Sequence, residues 1–406
     1  MMGLLKKYLL QNQLIINFKI FFMKNSLYLT FIFCTSLFIT SCDKDDDHDH
    51  DHNHHQEVTA PDTYSFERNG ESTVSFSGQT CRLQMAKDIY DALNSPNMYT
   101  AQQVLEMFND GTGFDYSYDC GKNVGSKTAA SSSASATVKP LFDNMINELF
   151  EDVAPNWTNT ASVGMSGQIT TSTGSTYQVN GMGLEIDQAF IKGLIGALVT
   201  DQITNNYLTA SKLDGDGTTN NSEGLVAGQY TDMEHYWDEG FGYLYGYNNQ
   251  HVGGFDDNTT DVAVGTGVLL NKYLKKVNDS NQPGIADVIY DAFKLGRAAI
   301  VAGDYVIRDA QSQIITEHLH KIIAYKAVDY LIGGAETIQS GAPREDTFHG
   351  LSEGYGFILS LQFTDYFSNS DVNNMLSQLM DGNGFWDISV DELNSMANTI
   401  ANAAGI

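Results

Sequence analysis

Two stretches of this sequence set an imidazole and a carboxylate four residues apart. The first reads His235-Tyr236-Trp237-Asp238-Glu239-Gly240-Phe241-Gly242, the second His349-Gly350-Leu351-Ser352-Glu353-Gly354-Tyr355-Gly356. Both fit His-x-x-x-Glu-Gly-aromatic-Gly. On a helix this spacing stacks the two side chains one turn apart on one face, where both can reach one ligand. The helix dipole biases an imidazole near a helix N-terminus towards neutrality, and a neutral imidazole with an ionised carboxylate is a reasonable ligand pair. His235, Glu239, His349 and Glu353 together offer two nitrogen and two carboxylate donors, a set suited to iron or zinc. The competing reading is structural: each histidine bonds the glutamate one turn on, or a carbonyl across the bundle, and fixes helix packing. The residues alone leave both open.

Each motif also carries two glycines, Gly240 with Gly242 and Gly354 with Gly356. A glycine inside a helix costs about 1 kcal/mol against alanine. Close backbone approach should offset that cost, either between the two motif helices or to a ligand, with Phe241 and Tyr355 filling the adjacent gap.

No catalytic or cofactor-binding residues can be assigned. The chain has neither a His-Glu-x-x-His zinc-protease signature nor a Gly-x-Ser-x-Gly elbow. Gly121 to Thr128 lacks the spacing of a phosphate loop and no strand precedes it. Asp214-Gly215-Asp216-Gly217 opens like a calcium loop, but the residues after it do not fit an EF-hand. His318 and His320 lie about 160° apart around a helix, so one faces outward and one inward. Glu317 and Lys321 read as a surface pair, and His251 sits in a polar, Gly-rich loop without a role.

The elements that must position the motifs are mainly helices. Asn69-Gly70 marks a hairpin near the start of the folded part, and Gly167 to Val179, with Thr173-Gly174 at its centre, marks a second. Helical spacing begins at Leu83. Thr100 with Gln103 caps a helix through Phe108, and Asn109 to Ser135 reads as a long loop. Apolar residues from Val138 to Phe150 form one amphipathic face. A long helix spans Leu184 to Leu208, and a loop spans Asp214 to Gly228. Thr231 with Glu234 caps the first motif helix. Further helices are expected over Val264 to Val277, from Pro283 to Val301, from Asp304 to Ile332, from Thr347 to about Phe367, over Val372 to Leu379, and after a Ser389–Glu392 capping box. Long helix, loop and motif helix occur twice, at about 184–250 and 304–367. The expected architecture is therefore a duplicated helical bundle with a pseudo-two-fold axis.

Among the 406 residues, 22 are Lys or Arg and 50 are Asp or Glu, a net charge of −28. That balance argues against nucleic acid and an anionic membrane face as partners and permits cations or cationic partners, while high acidity also serves solubility alone. The 42% hydrophobic content is ample for a core over 61–406.

The N-terminus reads as an export signal. Met23-Lys24-Asn25 is a basic start, and it makes Met23 the better candidate for the true first residue. Leu27 to Ile39 is an apolar run too short for a confident membrane span. Ile39-Thr40-Ser41-Cys42 resembles a bacterial lipobox, which implies lipid attachment at Cys42 after removal of the residues before it. Asp43-Lys44-Asp45-Asp46-Asp47 is similar to the acidic export tag of Bacteroidota surface lipoproteins. Residues 43–60, with His48, His50, His52, His54 and His55, read as a disordered spacer able to chelate metal loosely. Outside the cytoplasm Cys81 and Cys120 can pair and pin the loop after the second helix.

Ser77-Gly78-Gln79-Thr80, Ser126-Lys127-Thr128-Ala129-Ala130, Glu234 to Glu239 and His349 to Phe357 together resemble the Bacteroidota lipoprotein family catalogued as domain of unknown function 4856, over roughly Pro61 to the C-terminus. The resemblance implies a cell-envelope protein. The duplicated bundle with a His/Glu motif is more loosely similar to imelysin-type proteins and implies a link with iron uptake. Imelysins carry Gly-x-His-x-x-Glu, whereas both copies here have three residues between His and Glu. Three functions follow as expectations. One is a surface-exposed lipoprotein, anchored in outer-membrane lipid through Cys42, that binds iron, zinc or a metal-containing ligand. The second is a non-catalytic structural or partner-docking envelope protein, one that supports an outer-membrane transporter. The third is a metal-dependent hydrolase.

Overall fold

A computed structural model describes residues 58–222, 225–247 and 268–406. Cys42, the spacer histidines, His251 and residues 264–267 lie outside the described residues. Asn69 and Gly70 both adopt positive φ (54° and 83°), the geometry of a tight hairpin turn, and join β1 (Glu67–Arg68) to β2 (Glu71–Ser72). Pairing is confined to residues next to the turn, short of the Tyr64 to Phe66 and Thr73 to Phe76 stretches that the sequence marks on either side of it. In the second hairpin, β3 (Gly167–Thr170) pairs antiparallel with β4 (Thr176–Val179), as expected.

The rest is mainly helical. The N-terminal helices are α1 (Ser77–Leu93), α2 (Ala101–Asn109) and α3 (Ser135–Glu148). Thr100 and Gln103 make the expected capping box on α2. The loop from 110 to 134 is tied to α1 by a Cys81–Cys120 disulfide, with Cα atoms 6.7 Å apart.

The central rod starts as α4 (Ile186–Leu194) and continues through wider π turns over Ile195–Thr200 and Ile203–Tyr207. It is buried almost throughout. The first widening has a visible cause. In a regular helix the Gly196 N–H would bond the Lys192 carbonyl. Here the Ser360 hydroxyl stands between them, accepting from Gly196 N–H at 2.9 Å and donating to Lys192 O at 2.9 Å.

After the short α5 (Ala210–Leu213) comes the first motif helix, α6 (Asp232–Tyr245). Then follow α7 (Leu270–Ser280), α8 (Ile285–Ala302), α9 (Tyr305–Gln339), the second motif helix α10 (Glu345–Ser360), α11 (Asn369–Leu379) and α12 (Val390–Ala404). Two expected ends move. The α9 helix runs past Gly333-Gly334 because Gly334 lets Leu351 of α10 close on its backbone. The α10 helix ends at Ser360 and tightens into a single turn, Leu361–Phe363, before extended Thr364.

The two motif helices seat on different stretches of the rod: α10 on Ile186–Leu194, α6 on Ile203–Tyr207 and on α1 and α8. One continuous hydrophobic core joins them. The order of long helix and motif helix recurs in both halves, which is consistent with a duplicated bundle.

A Cβ on Gly356 would meet the Ala189 carbonyl and the Gly193 nitrogen at 2.9 Å, and backbone cannot give way there. Gly356→Ala should therefore lower unfolding free energy by about 1–3 kcal/mol, the usual cost of overpacking. Gly333, with nothing within 4 Å of its Cβ position, is the control. Gly333→Ala should gain up to about 1 kcal/mol from helix propensity. Urea denaturation of both variants checks this pair, and equal effects would be inconsistent with close approach at Gly356.

Candidate functional site

The first motif helix opens on a reciprocal cap. The Glu234 N–H donates to the Thr231 hydroxyl at 3.1 Å, and Thr231 N–H donates to the Glu234 carboxylate at 2.7 Å. That carboxylate also takes Arg68 at 2.9 Å and Arg297 at 3.0 Å. One turn on, Asp238 accepts from Arg297 Nε at 3.0 Å, Tyr64 Oη at 2.6 Å and Ser75 N–H at 3.3 Å. Arg297 completes its fan on the Thr73 hydroxyl at 3.1 Å. Burial opposes charge on Arg297, but Asp238 and Glu234 outweigh it and hold its pKa above the ordinary value. Burial likewise raises Glu234, yet Arg297 and Arg68 bring it below the usual carboxylate range. Trp237 donates to the Phe293 carbonyl at 2.9 Å, and its ring fills the space a side chain on Gly296 would need.

The His235 and Glu239 pair sits on the neighbouring face. His235 stacks on Tyr230, with centroids 4.5 Å apart. Its Nε2 lies 4.0 Å from Glu239, and its buried Nδ1 has no hydrogen-bond partner among the described residues. Glu239 accepts from Gln79 Nε2 at 2.9 Å and from Tyr207 Oη at 3.2 Å.

The second pair repeats much of this with different donors. His349 stacks on Tyr177 at 4.6 Å. Glu353 accepts from Lys192 Nζ at 2.9 Å and Tyr273 Oη at 2.9 Å. Burial raises Glu353, but Lys192 and hydrogen bonds from Tyr330 and Tyr273 bring its pKa down to about 2. His349 does not bond Glu353. Its Nδ1 lies 3.0 Å from Glu185, at the entry to the rod, whose N–H in turn bonds the Ser352 hydroxyl at 2.8 Å. Burial pushes Glu185 up to about 7 despite its His349 partner. Burial works against charge on His349, but Glu185 outweighs it and the imidazole pKa ends above its ordinary value. The expected bias of the helix dipole towards neutral imidazole is thus overridden at His349 by a carboxylate in direct contact.

Each motif therefore has one imidazole stacked on a tyrosine and one carboxylate held by a tyrosine hydroxyl plus an N–H donor. Each carboxylate belongs to its own set of neighbours. Among the described residues no three His, Cys, Asp or Glu side chains group as a metal site. The motif glycines also differ from expectation, because their close approach is to third elements. Gly240 faces Leu208 and Gly242 faces Phe76. Gly354 faces Tyr330 and Gly356 faces the rod at Ala189 to Gly193. The Phe241 ring stacks on Tyr64 with centroids 3.6 Å apart. His320 is buried against Thr204 and Asp365, while His318 is half-buried and Glu317 pairs with Lys321 on the surface.

Sequence reasoning does not identify Arg297, Lys192, Glu185 or Tyr64 as site residues. The signal for the first two was present: each is a cation inside a helix of mostly apolar residues, where an unpaired charge is very costly. Nothing local pointed to Glu185 or Tyr64, which meet their partners across 164 and 174 residues.

The family described as Domain of unknown function (DUF4856) matches residues 61–406. The chain belongs to that family. No curated protein and no solved structure matches it.

Arg297 is fully buried with two carboxylates upon it. Arg297→Met should cost about 3–5 kcal/mol, because it leaves buried charge uncompensated. Chemical denaturation measures this, and a loss below 1 kcal/mol, roughly the value of a surface pair, would contradict the cluster's role.

The Glu185–His349 pair gives a pH signature. Both pKa values lie above their ordinary positions in the folded chain, so the folded pair holds more protons than the unfolded chain does. Its contribution is complete below the ordinary carboxylate pKa and is lost as pH rises through about 7. Glu353 acts oppositely: its contribution is present above its ordinary pKa and is lost as pH falls towards about 2. Replacing Glu185 by Gln should flatten the decline of unfolding free energy between about pH 5 and about pH 8. Denaturation curves across that range test it, and an unaltered slope would exclude this pair as a source.

Proposed function

We propose that this protein is a non-catalytic, lipid-anchored component of the cell envelope that docks a partner at the cell surface, such as an outer-membrane transporter. Its His/Glu motifs lock helices together. One observation carries this reading: in both copies the glutamate is already bonded inside the protein, by Gln79 and Tyr207 or by Lys192 and Tyr273. A carboxylate bonded in this way serves packing first. The anchor rests on the Ile39-Thr40-Ser41-Cys42 sequence and the acidic run behind it. The Cys81–Cys120 bridge suits a compartment outside the cytoplasm. No described helix is long and apolar enough to cross a membrane. A net charge of −28 suits a cationic partner surface.

A second reading keeps metal binding, with an imelysin-like part in iron acquisition. What favours it is the first copy alone, where His235 Nδ1 has no partner among the described residues and Nε2 stands near Glu239. In the second copy Glu185 holds that nitrogen.

Metal analysis of protein lacking residues 43–60 separates the two, since the spacer histidines would otherwise bind metal themselves. Under the docking reading His235→Ala lowers the melting temperature and metal content stays at background. Stoichiometric iron or zinc, lost when His235, Glu239, His349 and Glu353 are all alanine, would establish the second reading instead. Cys42→Ser should release the protein from the membrane fraction, and retention there would contradict the lipid anchor.

A further inference from the structure

A cavity of about 230 Å³ opens beside the second motif, between α1, the rod and the start of α7. Ile191, Ile195, Leu269 and the rings of Tyr90 and Tyr273 make its walls. Its ionisable lining is cationic or phenolic: Lys87, Lys192, Lys272 and the two tyrosines, with no carboxylate lining it among the described residues. In a chain with 22 basic and 50 acidic residues, that is the reverse of the average surface.

The polar atoms have donors to spare. Lys192 is buried and gives one N–H to Glu353 at 2.9 Å and one to Gln188 Oε1 at 2.5 Å, which leaves a third. The Tyr90 hydroxyl accepts from Gln188 Nε2 at 2.8 Å, and its own proton meets no acceptor among the described residues. Lys272, exposed at the mouth, has no carboxylate partner among the described residues, whereas Lys87 is paired with Asp91. Behind them Lys276 lies over the Tyr273 ring at 4.8 Å. Its pKa is lowered by burial and by the charges of Lys272, Lys326 and Lys192, with Glu353 opposing. Three lysines thus line an apolar hollow, with Glu353 paired to Lys192, Asp91 paired to Lys87, and the charge of Asp187 acting on Tyr90.

We propose that this cavity binds a small amphipathic anion: a short apolar body bearing one carboxylate. The two spare donors, on Lys192 and Tyr90, match two carboxylate oxygens, Lys272 supplies charge at the mouth, and the aliphatic walls take the tail. The volume is below the roughly 300–1,000 Å³ of sites for drug-sized molecules, so the ligand is short. It shares Lys192 with Glu353, which links the site to the second motif. The proposal is independent of whether the His/Glu motifs lock helices or bind metal.

Titration calorimetry of the mature protein with octanoate, 1-octanol and octylamine tests it. Octanoate should bind saturably at one site. The alcohol and the amine, of the same length, should bind at least about tenfold more weakly. Lys272→Glu, at an exposed position, should weaken octanoate by about tenfold, and Tyr90→Phe should weaken it as well. Ile191→Trp, which fills the hollow, should abolish it. If Ile191→Trp does not fold by circular dichroism, the other two variants decide. No saturable octanoate binding, equal binding of the alcohol or amine, or octanoate binding unchanged in the folded variants would each overturn the proposal.

Discussion

The structure depends on a central rod from Ile186 to Tyr207 that is surrounded on nearly every side. A buried helix constrains its neighbours in two ways. Its backbone must be approached closely, or voids remain, and each polar group on it must find a partner. Gly193 and Gly196 meet the first demand from the rod's side, against Leu359 and Ser360, and Gly356 meets it from the side of the second motif helix. Lys192 sets the second demand. Its ammonium is buried, and Glu353 supplies the countercharge. The carboxylate of the second motif is therefore required by the rod whatever else it does.

The far end of the rod imposes the same constraint with different chemistry. There the first motif helix brings Glu239 to Tyr207, and Gln79 of α1 supplies the N–H that Lys192 supplies in the other half. A neutral amide supplies no countercharge to Glu239. The charge balance of the first half has moved one helix face away, into the Arg297, Glu234 and Asp238 cluster. The two halves share a layout of tyrosine, N–H donor and carboxylate while differing in where the ion pair sits.

Capping boxes at Thr100, Thr231 and Ser389 were legible in sequence because each is a local rule, complete within four residues. Both hairpin turns were legible for the same reason. The end of α9 was not, because whether Gly333-Gly334 stops a helix depends on Leu351, which packs on it from another helix. The π turns of the rod were hidden likewise: the hydroxyl that opens the ladder belongs to Ser360, 164 residues from Gly196. The four motif residues were found from their spacing, but their partners were not, since Glu185, Lys192, Gln79 and Tyr207 carry no mark that assigns them to a particular helix.

Spacing of four had suggested two side chains turned towards one target. In the second copy the same spacing does something else. His349 reaches Glu185 and Glu353 reaches Lys192, so four residues along α10 span seven along the chain it lies against. One helix face thus grips a neighbour at two points, each with opposite charge available across the contact. Two grips fix both the sliding and the rotation of α10 on the rod, which a single ion pair cannot do. That accounts for an imidazole and a carboxylate at this interval in the second copy. In the first copy no counterpart to Glu185 meets His235 among the described residues, and its Nδ1 has no partner among them.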